Sequence, residues 1–380
     1  MPRCSLAPSS AQHVAGSRSI ASTSTDSWST PQLSHPTGGS RPTPRSSAPW
    51  PATDGGGTLH DRDRWTRTGA SNTAIGICAD LTSGQNRQVS ELLDWSPWLP
   101  LDGAGRNRQL AATPGLYRVR ISGADRPIYI GQTGRSIRQR LGMLRGTYAE
   151  QMPYNDPHTA APALWALHHR YGVDFECSAA PLDGDRRARM GAEALAISMH
   201  RVDHGGSPIA NFGGMPDGYR KSSGNNARLV AAGKRFRGGP DPTAKSTPSS
   251  VPVPGRLDDP AGTPRWVGLP WSPWTPLELF AGAGGRDLQP GNGLYRIRRV
   301  GAGNHLIYVG QGDVASRLRT HAAAATDAHQ RKHEWLRSPS ETSWVELDGV
   351  PTRALLELEN DLIASHVMAC GEPPGAQFLG

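Results

Sequence analysis

The stretch GLYRVR, Gly115 to Arg120, is followed closely by IYIGQ, Ile128 to Gln132. The same pair returns as GLYRIR at Gly293 to Arg298 and IYVGQ at Ile307 to Gln311. In each pair, alternating apolar residues flank a short turn region, and this pattern predicts a β-hairpin. Two copies, each of domain length, indicate two homologous domains and not a solenoid, which needs several shorter repeats.

Hydrophobic periodicity predicts one order of elements in both copies: strand, strand, helix, helix, strand, helix. In the first copy the predicted strands are 116–121, 127–132 and 174–180, and the predicted helices are 136–144, 161–171 and 186–200. In the second copy the predicted strands are 294–300, 305–310 and 343–347, and the predicted helices are 313–324, 328–337 and 353–369. This order predicts a small mixed α/β layer in each copy.

Composition divides the rest of the chain. Residues 1–90 are rich in Ser, Thr, Pro and Gly and lack periodic apolar residues, so they are predicted to be disordered. A start codon assigned too far upstream would give the same pattern. Residues 239–264 are rich in proline and are predicted to be a semi-extended linker. The predicted domains are therefore 91–238, with a basic C-terminal extension, and 265–380.

The chain carries 41 Lys and Arg against 33 Asp and Glu, a formal charge of +8, which favours a polyanionic partner. Arginine supplies nearly all of this charge, and either phosphate binding or a GC-rich coding bias accounts for that preference. The four cysteines are scattered without a metal-binding or disulfide spacing, and a reducing, cytoplasmic location is expected. No apolar run is long enough for a membrane span.

Chemically capable residues recur at matched places in the two copies. Each hairpin carries two tyrosines, an Arg-Leu step follows it, and the last predicted helix carries a glutamate that precedes an amide residue at the same spacing. These residues are Tyr117, Tyr129, Arg140, Glu193 and Asn211 in the first copy, and Tyr295, Tyr308, Arg317, Glu359 and Gln377 in the second. Arg138 remains an alternative to Arg140, because the loop before the arginine differs in length between the copies.

The glutamate is best argued in the second copy. Helical spacing puts Glu359 on one face with Leu355, Leu358 and Leu362, where a carboxylate is costly unless a metal or a cation meets it. By the same spacing, Glu357 shares a face with Arg353 and Asp361, and that face is expected to be solvated.

In both copies these residues and their order resemble the GIY-YIG nuclease superfamily. The resemblance implies a three-stranded antiparallel sheet flanked by helices, with one active site and one divalent metal, Mg²⁺ or Mn²⁺. It implies that Tyr117 is the general base, Tyr129 orients water or phosphate, Arg140 stabilises the phosphate, Glu193 binds the metal, and Asn211 supports the site. The second set would act in the same way. A phenol is a weak base at its ordinary pKa, and Arg140 with a metal is expected to lower it.

A basic cluster follows the first copy, interleaved with Tyr219 and Phe236. Its members are Arg220, Lys221, Arg228, Lys234, Arg235 and Arg237. The cluster is either a solubilising tail or a surface that contacts the DNA backbone. The sequence thus predicts a metal-dependent endonuclease that acts on DNA, with RNA left open. The alternative is a non-catalytic nucleic-acid-binding protein on the same fold.

Overall fold

A computed structural model describes residues 93–156, 158–247, 250–281, 289–337 and 339–379. The region 1–90, predicted to be disordered, lies outside the described residues. Among the described residues, no helix combines the length and the apolar character that crossing a membrane requires.

The first repeat is a mixed α/β unit built on an antiparallel sheet. Its elements are β1 (Leu99–Pro100), β2 (Gly115–Ile121), β3 (Pro127–Thr133), α1 (Ile137–Gly142), α2 (Ala161–Tyr171), β4 (Phe175–Pro181) and α3 (Arg186–His204). The strand order is β1-β4-β2-β3. The three predicted strands are present, but the sheet has a fourth, because the two-residue strand β1 pairs with the outer edge of β4. A strand this short shows no alternation in the sequence.

A small basic extension follows α3. It consists of β5 (Tyr219–Arg220), α4 (Ala227–Ala231) and β6 (Gly239–Pro240), and β5 pairs with β6. The extension holds the loop that precedes α2, because Ser222 Oγ donates to the carbonyl of Pro153 at 2.6 Å and Arg237 Nη1 donates to that of Met152 at 2.9 Å.

The second repeat has the same topology. Its elements are β7 (Thr275–Pro276), β8 (Asn292–Arg299), β9 (Leu306–Asp313), α5 (Val314–Thr326), α6 (His333–Leu336), β10 (Ser340–Glu346) and α7 (Thr352–Cys370). The strand order is β7-β10-β8-β9, which matches the first sheet strand for strand. The predicted helix 328–337 shortens to α6, and the predicted strand 343–347 starts three residues earlier, at Ser340.

Strand register explains why each hairpin has a glycine two residues after its second tyrosine. Tyr117 on β2 lies opposite Gly131 on β3, and Tyr295 on β8 lies opposite Gly310 on β9. A Cβ added at Gly131 would lie 2.8 Å from the Tyr117 hydroxyl oxygen, and one at Gly310 would overlap Tyr295 more severely. Glycine therefore lets each tyrosine ring lie flat across the neighbouring strand.

The two repeats pack against each other through α3 and α7, which run antiparallel. Near the middle of the pair, Asn360 Nδ2 on α7 donates to the carbonyl of Ala194 on α3 at 2.9 Å. The predicted linker also packs, because Val251 N–H donates to Glu357 at 3.1 Å and Leu257 and Ala261 are buried in the core of the second repeat.

The predicted solvated face of α7 is wrong. Glu357 and Asp361 have fully buried side chains and bind Arg201, which is itself fully buried on α3. Arg201 Nε donates to Asp361 Oδ1 at 2.9 Å, and its Nη2 donates to Asp361 Oδ2 at 3.0 Å. Helical spacing correctly grouped the two acids but gave no sign of a partner 160 positions away along the chain.

Candidate active sites

The first candidate site is centred on the hydroxyl of Tyr117, a fully buried side chain on β2. This hydroxyl lies 3.0 Å from His158 Nε2, and Arg140 Nε donates to the same oxygen at 3.3 Å. The hydroxyl oxygen accepts from the guanidinium, and the direction of its bond with His158 depends on which tautomer the imidazole adopts. Tyr117 is thus held from two sides, by a cation and by a neutral imidazole.

His158 is a site residue that the sequence did not reveal. It is 1% exposed and lies in the loop before α2, whose first residue is Ala161. Burial, together with the positive charge of Arg140, lowers the pKa of His158 to about 3. The imidazole is therefore neutral at physiological pH and can accept the hydrogen of Tyr117.

The expected lowering of the Tyr117 pKa does not occur in the protein alone. Arg140 opposes ionisation of the buried form only in part, and burial raises the pKa of Tyr117 above its ordinary value. Tyr117 is therefore a neutral phenol, and His158 lies within hydrogen-bonding distance of its hydroxyl.

Tyr129 lies beside the first tyrosine, as its place on β3 predicts. Its ring centroid is 6.1 Å from that of Tyr117 and 5.3 Å from that of His158. Burial raises the pKa of Tyr129 well above its ordinary value, so this phenol also stays neutral. Two neutral phenols and a neutral imidazole therefore lie side by side in the first site.

Of the two candidate arginines, it is Arg140 whose guanidinium reaches Tyr117. The backbone N–H of Arg138 instead donates to the carbonyl of Ala111 at 2.9 Å, and its side chain lines a different depression beside Trp95 and Pro181. Arg140, and not Arg138, is therefore the arginine of the first site, although the loop before it differs in length between the two repeats.

Glu193 on α3 is the acidic member of the site. Burial raises the pKa of its carboxyl to about 7, and the backbone N–H of Gln132 and the charge of Arg140 oppose that rise. The carboxylate acts in turn on Tyr117 and Tyr129, and it raises the pKa of both phenols. The predicted metal ligand thus faces the tyrosines.

Asn211 fixes the edge of β3 next to the tyrosines. Its Oδ1 accepts from Ile130 N–H at 3.0 Å and its Nδ2 donates to the Ile130 carbonyl at 2.8 Å, as a neighbouring strand would. Asn211 therefore holds the strand that carries Tyr129, since its side-chain oxygen and nitrogen both bond to the backbone of Ile130.

The second candidate site repeats the central contact. The Tyr295 hydroxyl lies 3.0 Å from His321 Nε2, and burial with Lys332 and Arg317 nearby lowers the pKa of His321 to about 3. The ring of Tyr308 lies 4.7 Å from that of His321.

Charges complete the second site. Burial raises the pKa of Glu359 to about 7, opposed by Arg317 and Lys332. Lys332 is a cation that the sequence did not single out, and its Nζ lies 4.0 Å from the centroid of Tyr308. Gln377 Oε1 accepts from Val309 N–H at 3.0 Å, the same strand-edge contact that Asn211 makes, although it makes one bond and Asn211 makes two.

The two histidines reach equivalent positions from different parts of the fold. His321 lies on α5 one helical turn after Arg317, so the spacing of four could have suggested it. The residue one turn after Arg140 is Leu144, which belongs to the core. His158 replaces it from a loop, and no alignment of the two copies predicts that substitution.

The basic cluster folds into the extension and does not form a tail. Three of its four arginines stack on aromatic rings: Arg220 lies 4.4 Å from the centroid of Phe236, and Arg235 and Arg237 lie 4.2 and 4.0 Å from that of Tyr154. Burial lowers the pKa of Lys221.

Arg228 and Lys234 remain exposed. The extension thus presents cations close to the loop of His158, four residues beyond Tyr154.

A metal at either site would rest on a single protein carboxylate. Within the described ranges, no group of three or more His, Cys, Asp and Glu side chains is placed to hold an ion. Mg²⁺ commonly keeps several waters and takes one or two carboxylates together with substrate phosphates, so one half-buried carboxylate fits such an ion. A closed site for Zn²⁺, with three or four protein ligands, does not fit.

Comparisons with known proteins add no relative to these observations. No family model matches the chain, and no curated protein or solved structure matches it significantly.

Proposed function

We propose that this protein is a divalent-metal-dependent endonuclease that hydrolyses DNA phosphodiester bonds at two sites of the GIY-YIG type, one in each repeat. The observation that carries the proposal is the repeated tyrosine–histidine contact. Each hydroxyl lies 3.0 Å from a buried imidazole, with an arginine and a glutamate beside it. A core would not need the same polar arrangement twice, reached from unmatched sequence positions.

In the proposed first site, Arg140 binds the scissile phosphate, whose negative charge replaces the phenol as its main partner. The Tyr117 oxygen is then free to accept a proton from the attacking water while its own hydrogen passes to His158 Nε2. The incoming negative charge also favours the imidazolium form of His158, which burial otherwise disfavours. Tyr129 orients the phosphate or the water.

Glu193 would hold the divalent cation, which supplies positive charge for the leaving oxygen. Glu359 would do the same in the second repeat. The exposed cations of the basic extension, with Arg220, Arg235 and Arg237 pinned on aromatic rings, give a surface for the DNA backbone, where contacts add affinity without reading sequence.

A plasmid-nicking assay with Mg²⁺ or Mn²⁺ tests the proposal. We expect the full chain to convert supercoiled DNA to the nicked form, and the double variant Glu193→Gln/Glu359→Gln to lose this activity and keep its melting temperature. Tyr171→Phe, a conservative change at an exposed tyrosine outside both sites, is the matched control and should cleave normally.

Two outcomes contradict the proposal. The first is a full chain that binds DNA but does not cleave it with either metal, which would favour a non-catalytic binding protein on this fold. The second is nicking that persists undiminished in the double glutamate variant, which would point to a contaminating nuclease or to a different site.

A further inference from the structure

The second candidate site opens into a cleft that both repeats build. The cleft has a volume of about 370 Å³. Its second-repeat wall carries the site residues Tyr308, Lys332, Glu359 and Gln377. The opposite wall includes Arg186 and Phe212, which belong to the first repeat.

The antiparallel pairing of α3 and α7 brings Arg186 to this position. Arg186 is the first residue of α3, and it lies against the segment that follows the end of α7. Its Nη1 donates to the carbonyl of Phe378 at 2.9 Å, directly after Gln377 in the chain. The neighbouring Arg187 donates to the carbonyls of Pro373 and Pro374 at 3.1 and 3.2 Å, so the whole segment is held from the first repeat.

Arg186 has donors to spare. Its side chain is exposed, and among the described residues its guanidinium makes that one hydrogen bond to protein. A guanidinium carries five N–H donors in a planar fork that suits phosphate oxygens. Lys332 lies on the other wall of the cleft, and Lys332 and Arg317 both act on the charge of Glu359, so Arg186 adds a further cation to a cleft that already holds positive charge.

The residue of the second repeat that aligns with Arg186 is not a cation. Aligning Glu193 with Glu359 puts Thr352 in the position of Arg186. The two sites also differ in their arginines, because among the described residues no hydrogen bond from Arg317 to Tyr295 matches the one that Arg140 gives to Tyr117.

We infer that Arg186 binds a backbone phosphate of the DNA strand that occupies the second site, so that the first repeat completes this site across the α3–α7 seam. This inference rests on the proposed function. It names Arg186 as a binding residue for the phosphate next to the scissile one, and it places the path of that strand over the seam.

The test separates binding from cleavage. In the Glu193→Gln/Glu359→Gln background, a fluorescein-labelled DNA duplex is titrated without metal over a range of salt concentrations. Losing one phosphate contact lowers the slope of log affinity against log salt by about 0.9, so we expect that loss for Arg186→Gln. Arg186→Lys should recover most of the slope, because it keeps the charge. Arg106→Gln, at an exposed arginine outside the cleft, should leave the slope unchanged.

A second arm measures cleavage with only the first site silenced by Glu193→Gln. Here Arg186→Gln should raise KM several-fold more than it lowers kcat, since a remote phosphate contact acts in the ground state and the transition state alike.

The inference is overturned if Arg186→Gln and Arg106→Gln have the same salt slope. It is also overturned if Arg186→Lys fails to recover the slope and melts as low as Arg186→Gln, because Arg186 would then serve only to anchor Phe378. A wild-type chain that does not cleave at all refutes the proposed function and leaves the binding arm readable.

Discussion

Replacing His158 by glutamine should remove a defined part of the acid sensitivity of this protein. The pKa of His158 is about 3 in the folded chain, because the ring is buried. In the unfolded chain it is that of a free histidine, ~6.5. A histidine held neutral by folding has no effect on stability above its unfolded pKa, and it destabilises the folded chain increasingly as the pH falls below that value, because only the unfolded state then binds the proton.

The magnitude follows from that difference. At a pH ~1.5 units below the unfolded pKa, the unfolded state gains ~2 kcal/mol from protonating this one histidine, while the folded state gains nothing. His321 has the same folded pKa, about 3, and should contribute a similar amount. The two histidines together should therefore contribute ~4 kcal/mol of destabilisation between neutral pH and pH ~5.

The assay is urea unfolding of the wild type and of His158→Gln at both pH values. Glutamine keeps an acceptor for the Tyr117 hydroxyl, and only the change between the two pH values is compared, so a lost contact cancels. We expect the variant to lose ~2 kcal/mol less than the wild type on acidification. His329→Gln, at an exposed histidine, should lose as much as the wild type. Identical losses in all three proteins would refute the buried, neutral imidazole and with it the proton path through His158.

Three further predictions follow from the geometry. Arg201→Met leaves the charge of Asp361 buried without its partner, so the free energy of unfolding, measured in urea, should fall by ~3–5 kcal/mol. The control Arg256→Met breaks the exposed ion pair with Asp258 and should change that free energy by less than ~1 kcal/mol. Equal losses in the two variants would show that the Arg201 ion pairs are accessible to water. Gly131→Ser should displace the Tyr117 ring and lower nicking, and normal nicking by that variant would mean that Tyr117 does not need its place over β3. Tyr117→Phe should reduce plasmid nicking more than Tyr295→Phe. Only the first tyrosine accepts a hydrogen bond from an arginine, Arg140, and only in the first repeat does the supporting amide, Asn211, make two hydrogen bonds to the edge strand. The reverse order would make the second repeat the stronger nuclease.

The elements and paired tyrosines could be predicted from sequence because both depend on local periodicity. Alternation places Tyr117 and Tyr129 on neighbouring strands, and helical spacing places Glu359 inward. Gln377 is 4% exposed and accepts a hydrogen bond from the backbone of Val309, and its local sequence does not predict this burial. Arg186 and Arg187 of the other repeat hold its segment, and contacts between repeats leave no mark on local pattern.

His158 escaped for a different reason. It lies in a loop whose position depends on the basic extension, through Met152, Pro153 and Tyr154, and no periodicity governs such a segment. Comparing the two copies could not identify His158, because such a comparison selects residues at matching positions, and His158 and His321 lie at different positions in their repeats.

The contact between α3 and α7 also determines which repeats can pair with each other. Under the repeat alignment, Arg201 corresponds to Val367, and Glu357 and Asp361 correspond to Gly191 and Leu195. The contact between these corresponding residues is accordingly apolar, and a Cβ on Gly191 would lie 3.2 Å from Val367 Cγ2.

Two first repeats brought together would therefore bury two arginines against glycine and leucine, and two second repeats would bury four carboxylates against valine. Either homotypic pair carries unpaired buried charge at a cost of several kcal/mol, so the seam accepts only unlike halves. Although the two repeats share a topology, each first repeat is thereby restricted to pairing with a second repeat. Every such pair then holds one site of the first repeat and one site of the second.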